Sequence, residues 1–326
     1  MFFVTASLKR SFELWIRQVS NLYVAYDDIY LDWQLGIGDG SHPTNPIRAK
    51  LAVEFLENLD PVVITPSATE FDRDLLSHVH SDEYISKVLD LGHSGEWHPD
   101  QPHLGAVALE MAAGTIRLYE KILSGEAQVA FNPQGAKHHA QYDRSSGFCV
   151  FNDMALVAKL FMAAGLKPMY IDWDAHHGDG VENILRAYPN MVTASIHQGG
   201  IFPGTGLKSE PENGAYNWAL RSEDGDVEFL DAMQEIELLA DEVQPDVILL
   251  ATGADAHYSD PLSNLKFDYP GYRAAAQIVG NIANKHAKGR VLIGGAGGYQ
   301  PLDHTPQVWA QVVAQVYSTV SSEITV

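Results

Sequence analysis

The sequence has a single cysteine, Cys149, among its 326 residues. No disulfide can form within the chain, a composition that suits a reducing compartment. It has no run of about 18 apolar residues, the length a membrane-spanning helix needs. Lys9, Arg10, Glu13 and Arg17 interrupt the N-terminal stretch where a secretory leader would need an unbroken apolar run. A cytoplasmic protein without a membrane partner is therefore expected. Basic residues are scarce: 21 Lys and Arg stand against 42 Asp and Glu, a formal net charge of −21. Such a surface repels phosphate backbones and argues against nucleic acid as a partner. It suits cationic ligands such as lysine-rich segments or polyamines, although solubility is the commoner reason for such a charge.

What is present is an ordinary apolar fraction, 46%, which at this length suffices for a sizeable core. No repeat or low-complexity tract divides the chain. Short apolar runs alternate with longer helical patterns. Strands are expected at Leu22–Tyr26, Val62–Thr65, Gln128–Phe131, Pro168–Trp173, Val192–His197, Val247–Thr252 and Arg290–Gly294. Helices are expected at Pro46–Leu59, Leu104–Ser124, Asp153–Ala164, Val227–Val243 and Tyr272–Lys288, with Gly125 and Gly165 as stops. This alternation predicts an α/β fold: a single open, mainly parallel sheet with helices on both faces. It occupies residues 22–326, with residues 1–21 as an N-terminal extension. Open sheets of this kind bind ligands beyond the carboxyl ends of their strands.

Four of those ends carry chemistry. After Pro168–Ile171 comes Asp172-Trp-Asp174-Ala-His176-His177-Gly-Asp179. In extended chain Asp172, Asp174 and His176 share one face. Carboxylates crowded beside an imidazole call for a cation, and zinc takes such oxygen and nitrogen donors. After Val247–Thr252, Asp255 stands at the same level and completes two Asp and one His, leaving a fourth position open. Alone, it would read as a helix cap. After Gln128–Phe131 the loop carries Gly135-Ala-Lys-His138-His139. These are candidate acid–base imidazoles, with Asp172 and Asp179 as orienting partners; the bland alternative is two loop histidines bonded to backbone. After Arg290–Gly294, Gly295-Ala-Gly297-Gly298 lets backbone approach a ligand and places Tyr299 at the pocket mouth. This loop lacks the Lys-Ser/Thr of a phosphate-binding loop.

These motifs, with His42-Pro-x-x-Pro46-x-Arg48, Leu76-x-x-Val79-His80, Ser146-Gly147-Phe148-Cys149-x-x-Asn152-Asp153 and Phe202-Pro-Gly-Thr-Gly206, follow one another as in the zinc-dependent histone deacetylase superfamily. The sequence most resembles its bacterial acetoin-utilisation members, from about Val24 to the last helix. The resemblance implies hydrolysis of acetylated lysine side chains, with Asp174, His176 and Asp255 holding one zinc ion. His138 and His139 would flank the attacking water, oriented by Asp172 and Asp179, and Tyr299 would bond the acetyl oxygen. Gly147, Phe148 and Phe202 would line the acyl-lysine channel, and Arg48 would brace the glycine loop. A structural potassium ion is implied near Asp172, Asp174 and His176, with Ser195 and Ile196 nearby. His177 is expected behind the metal loop and Cys149 at the pocket floor as a packing residue.

Two positions depart from the pattern. The rim aspartate of peptide-directed members aligns with Trp97, with Glu96 or Asp100 as substitutes, and Ile201 replaces an aromatic residue. Partners are therefore acetylated proteins or small acylated amines such as polyamines. A non-catalytic acyl-lysine binder is disfavoured by Tyr299 and the two histidines. A two-metal ureohydrolase is disfavoured by the absence of further aspartates.

Overall fold

The apolar runs become the strands of one sheet. The computed structural model describes residues 21–35, 42–57, 59, 62–66, 71–186 and 188–322, so the N-terminal extension lies outside the described residues except for Asn21. The eight strands are β1 (Asn21–Ala25), β2 (Val62–Thr65), β3 (Ala127–Asn132), β4 (Pro168–Asp172), β5 (Val192–Gln198), β6 (Ala215–Leu220), β7 (Val247–Thr252) and β8 (Val291–Gly295). Their order is β2-β1-β3-β8-β7-β4-β5-β6, and every pairing is parallel. The sheet is thus wholly rather than mainly parallel.

Alternation along the strands fills two cores. Val129, Phe131, Met169, Ile171, Ile248, Leu250, Val291 and Ile293 face one side, and Ala130, Tyr170, Leu249 and Leu292 face the other. Helices α1 (Ile47–Leu56), α6 (Asp226–Val243), α7 (Tyr269–His286) and α8 (His304–Ser322) cover the first face. Helices α2 (Asp82–Leu89), α3 (Leu104–Ser124), α4 (Asp153–Ala163) and α5 (Asp179–Leu185) cover the second. With both faces covered, the inner strands read as continuous apolar runs.

All seven expected strands are present. The eighth, β6, is a half-exposed edge strand whose sequence Ala-Tyr-Asn-Trp-Ala-Leu has no apolar run to announce it. Helix α7 begins three residues before its expected start. Asp268 caps Tyr269, and Pro270 lies in the first turn, where its missing N–H costs nothing. The Leu76–His80 segment, expected as helix from the resemblance, is a 3-10 turn over Arg73–His78.

The four strands whose ends carry chemistry, β3, β8, β7 and β4, are consecutive in the sheet. Their following loops must converge. Beneath them Trp173, fully buried, packs its edge on Phe229 at 5.7 Å, and Phe229 stacks on Phe267 at 4.1 Å. Truncating Phe229 leaves a cavity under the loop between Asp172 and Asp174. Phe229→Ala is expected to lower stability by about 3–5 kcal/mol in urea unfolding; a loss below about 1 kcal/mol would mean the cluster does not support that loop.

Candidate active site

Asp174, His176 and Asp255 meet at the centre of the converging loops, with donor atoms all within 4.8 Å of one another. His176 Nδ1 lies 3.1 Å from Asp174 Oδ1 and 2.8 Å from Asp255 Oδ2. The chain after β4 is not extended, as the alternation argument assumed. Asp172 Oδ1 accepts the Asp174 N–H and Asp174 Oδ1 accepts the His176 N–H, both at 2.9 Å. Two successive side-chain turns thus aim Asp174 and His176 at Asp255 and leave Asp172 for another task. Backbone donors complete the cradle, the Ala175 N–H on Asp255 Oδ1 at 2.9 Å and the Gly297 N–H on Asp174 Oδ2. At Gly297 a Cβ would fall 2.2 Å from Asp255 Oδ2, so only glycine lets this strand end approach the carboxylates.

Both carboxylates are buried, and the charge balance is uneven. Burial, then the neighbouring Asp174, pushes Asp255 up to about 7. Burial works against protonation of His176, but Asp174 and Asp255 outweigh it and raise the imidazole to about 10. A donor set of two carboxylates and one imidazole, short of positive charge and closed by glycine, fits a divalent cation of the zinc type.

The paired histidines sit beside this group, their ring centroids 4.0 Å apart. His138 Nδ1 contacts Asp172 Oδ2 at 2.8 Å, and His139 Nδ1 contacts Asp179 Oδ1 at 2.7 Å. These are the partnerships expected from sequence. Burial opposes the His138 charge, yet Asp172 and Asp174 raise it to about 9. Burial, followed by the His138 charge, lowers His139 to about 4. Two adjacent imidazoles are thereby shifted in opposite directions.

A cavity of about 420 Å³ opens onto these groups, lined by Glu96, His139, Gly147, Phe148, His176, Ile201, Phe202, Leu262 and Tyr299. Phe202 meets the His139 ring edge-on at 5.0 Å, and Phe148 meets Tyr299 at 6.2 Å. Gly147 has φ 55°, and a Cβ there would lie 2.5 Å from His139 Cδ2, so the wall closes on the imidazole only through glycine. Burial and the nearby carboxylates hold the Tyr299 hydroxyl well above its usual range. Arg48 bonds the Gly298 carbonyl and lies over Tyr299 and Trp309, bracing the glycine loop as expected. Cys149 lines a separate, smaller cavity together with Arg48, His138, His139 and Tyr299, its thiol pushed up to about 12 by burial.

Several placements differ from expectation. Trp97 is buried with its Nε1 on the Gly92 carbonyl, and Asp100 is exposed beside His98. Glu96 instead reaches the pocket wall, where its Oε2 accepts the Phe148 N–H at 2.8 Å. His177 bonds Thr205 at 2.8 Å and Glu182 at 3.1 Å, so it supports the loop carrying Phe202 rather than the metal loop. Ser195 pairs in register with Asp172, but its hydroxyl contacts His197 Nδ1 at 2.9 Å. Two further carboxylates hold the site loops: Asp153, quoted in a motif but given no role there, and Asp260, which carried no sequence signal. Asp153 holds the loop before His138 through the Ala136 and Lys137 N–H groups, and Asp260 accepts the Tyr299 N–H.

A family model described as histone deacetylase domain matches residues 42–316. The acetoin utilization protein AcuC of Bacillus subtilis (strain 168) is 32% identical over 297 residues, covering 83% of this chain and 76% of the relative. AcuC of Staphylococcus aureus (strain MRSA252) is 29% identical over 321 residues, covering 91% and 82%. The solved HDA15 HD domain shares the fold, with a TM-score of 0.79 at 23% identity, covering 94% of this chain and 93% of that one.

The His176 proton and a bound cation compete for one nitrogen, which gives a direct test of the donor set. Uptake of a divalent cation at pH 8 should release protons, read by calorimetry in buffers of different ionisation enthalpy, and should weaken as pH falls. Asp174→Ala and Asp255→Ala should abolish it. Uptake without proton release, or full uptake by either variant, would contradict the assignment.

Proposed function

The chain belongs to the histone deacetylase family, and from that premise we propose that it is a zinc-dependent amidohydrolase of acylated amines, acting on acetylated lysine side chains of proteins. The observation that carries this reading is a single cavity lined together by His139, His176 and Tyr299. A proton acceptor, a metal-ligand candidate and a phenol donor thus face one bound group.

Asp174, His176 and Asp255 would hold the zinc, which when bound supplies a Lewis acid and lowers the pKa of water. The chain's own residues supply the rest. His139, its Nδ1 engaged by Asp179, turns Nε2 to the pocket as a neutral base and takes a proton from the attacking water. The same ring returns a proton to the departing amine. His138, its Nδ1 engaged by Asp172, is the electrostatic companion. The Tyr299 hydroxyl stays protonated and donates to the carbonyl oxygen as that atom gains charge. Phe148 and Phe202 flank the methylene stem. A potassium ion near Asp172, Asp174, His176 and Ser195 belongs to the same reading, supported by the register pairing that sets Ser195 beside Asp172.

A second substrate reading, small acylated amines such as acetylated polyamines, is favoured by Glu96. Its carboxylate lines the cavity and suits a second ammonium on the substrate, and it stands in for the aspartate expected at the rim. Zinc-loaded protein assayed on an acetyl-lysine peptide and an acetylated polyamine side by side decides between the two by kcat/KM. On the better substrate, Tyr299→Phe should lower kcat about 10²–10³-fold with zinc content unchanged. His139→Ala should lose more than His138→Ala, within the range of about 10²–10⁴ for a proton-transfer group. A Tyr299→Phe enzyme as fast as the parent would remove the phenol from the mechanism.

A further inference from the structure

We infer that Asp260 is a positioning residue for Tyr299 and that His304 sets Asp260 in place. The inference rests on the reading of Tyr299 as the carbonyl donor. It arises from a mechanical problem: Tyr299 follows two glycines, which confer little stiffness of their own. Its backbone is fixed by side chains from elsewhere. Gly297 donates to Asp174 and accepts the Ala254 N–H at 2.7 Å, and Gly298 accepts from Arg48, contacts that belong to the metal cradle and the arginine brace. The bond on the tyrosine itself runs from its N–H to Asp260 Oδ2 at 2.7 Å.

Asp260 is buried and absent from the residues lining the cavity, so it reaches the reaction only through what it holds. Both of its oxygens are occupied. Oδ1 accepts the Leu262 N–H at 3.0 Å, and Oδ2 also accepts from His304 Nε2 at 3.1 Å. His304, 1% exposed, opens α8. Its Nδ1 lies 3.1 Å from Ser259 Oγ, which lies 2.9 Å from His257 Nδ1. The His257 and His304 rings stack at 4.4 Å with 18° between their planes. The carboxylate is therefore held at one end by α8 and at the other fixes Tyr299 to the loop that carries the metal ligand Asp255. A buried carboxylate that accepts a loop N–H is a charge-assisted anchor. It holds a backbone more firmly than an apolar filler of the same volume, and a displacement of about 1 Å at a reacting group costs about 10² in rate.

A double-mutant cycle separates this role from a general structural one. On the substrate chosen above, Asp260→Ala should lower kcat about 10²-fold in the parent background, with zinc content unchanged and KM little altered. In the Tyr299→Phe background the same substitution should cost less than about 2-fold, the scatter within which independent effects add. His304→Leu should follow Asp260→Ala, and His304→Gln, which keeps a donor, should recover most of the rate. Hydrogen exchange at the Tyr299 amide should quicken in Asp260→Ala and His304→Leu but not in His304→Gln. If Asp260→Ala fails to fold, the two His304 variants run through the same cycle.

Equal losses in both backgrounds, or unchanged exchange at the Tyr299 amide, would overturn the inference. A parent enzyme that releases no acid from any acyl amine would overturn the hydrolase reading instead, with the exchange result still deciding the anchor.

Discussion

Two carboxylates buried side by side, Asp174 and Asp255, are the constraint around which the rest of the molecule is arranged. Neither is more than 1% exposed, and isolated buried charges of like sign are costly. The fold meets that cost locally. Each carboxylate takes a backbone N–H, both contact His176, and the chain reaches them through turns in which one aspartate caps the next. The remaining negative charge is what a cation would balance. The central position in the sheet follows from this, because only the middle strands can deliver several loops to one buried point.

The same economy of charge divides the two histidines. Asp172 spends its oxygens on the Asp174 N–H, His138 and the Tyr170 hydroxyl, and so sustains one imidazolium. That imidazolium, added to burial, keeps its neighbour His139 neutral. The two rings are pushed in opposite directions, although their sequence positions are adjacent and their residue types identical. Environment, rather than residue choice, separates the roles.

Much of this was legible in the sequence. The inner strands are apolar on both faces, so their runs stood out, and the chemistry followed four of them. The triad and the two His–Asp pairs were readable because side chains of unusual density sat at strand ends. What escaped lacked such a signal. Strand β6 is an edge strand with mixed polarity. The turn geometry after β4 depends on side-chain-to-backbone bonds that residue spacing does not reveal. Asp260 reads as a loop aspartate until the fold brings α8 and the glycine loop against it. Of the three rim candidates read from the sequence, Glu96 faces the cavity, while the Trp97 indole is buried.

The role proposed for this buried acidic centre is to hold a cation for the cleavage of an acyl amide. The most direct measurement is acid release from an acetyl-lysine peptide and an acetylated polyamine by metal-stripped protein before and after reconstitution with zinc. The account predicts negligible release from the stripped protein and release restored by zinc on at least one of the two substrates. Equal release with and without metal, or none from protein carrying a full complement of zinc, would contradict it.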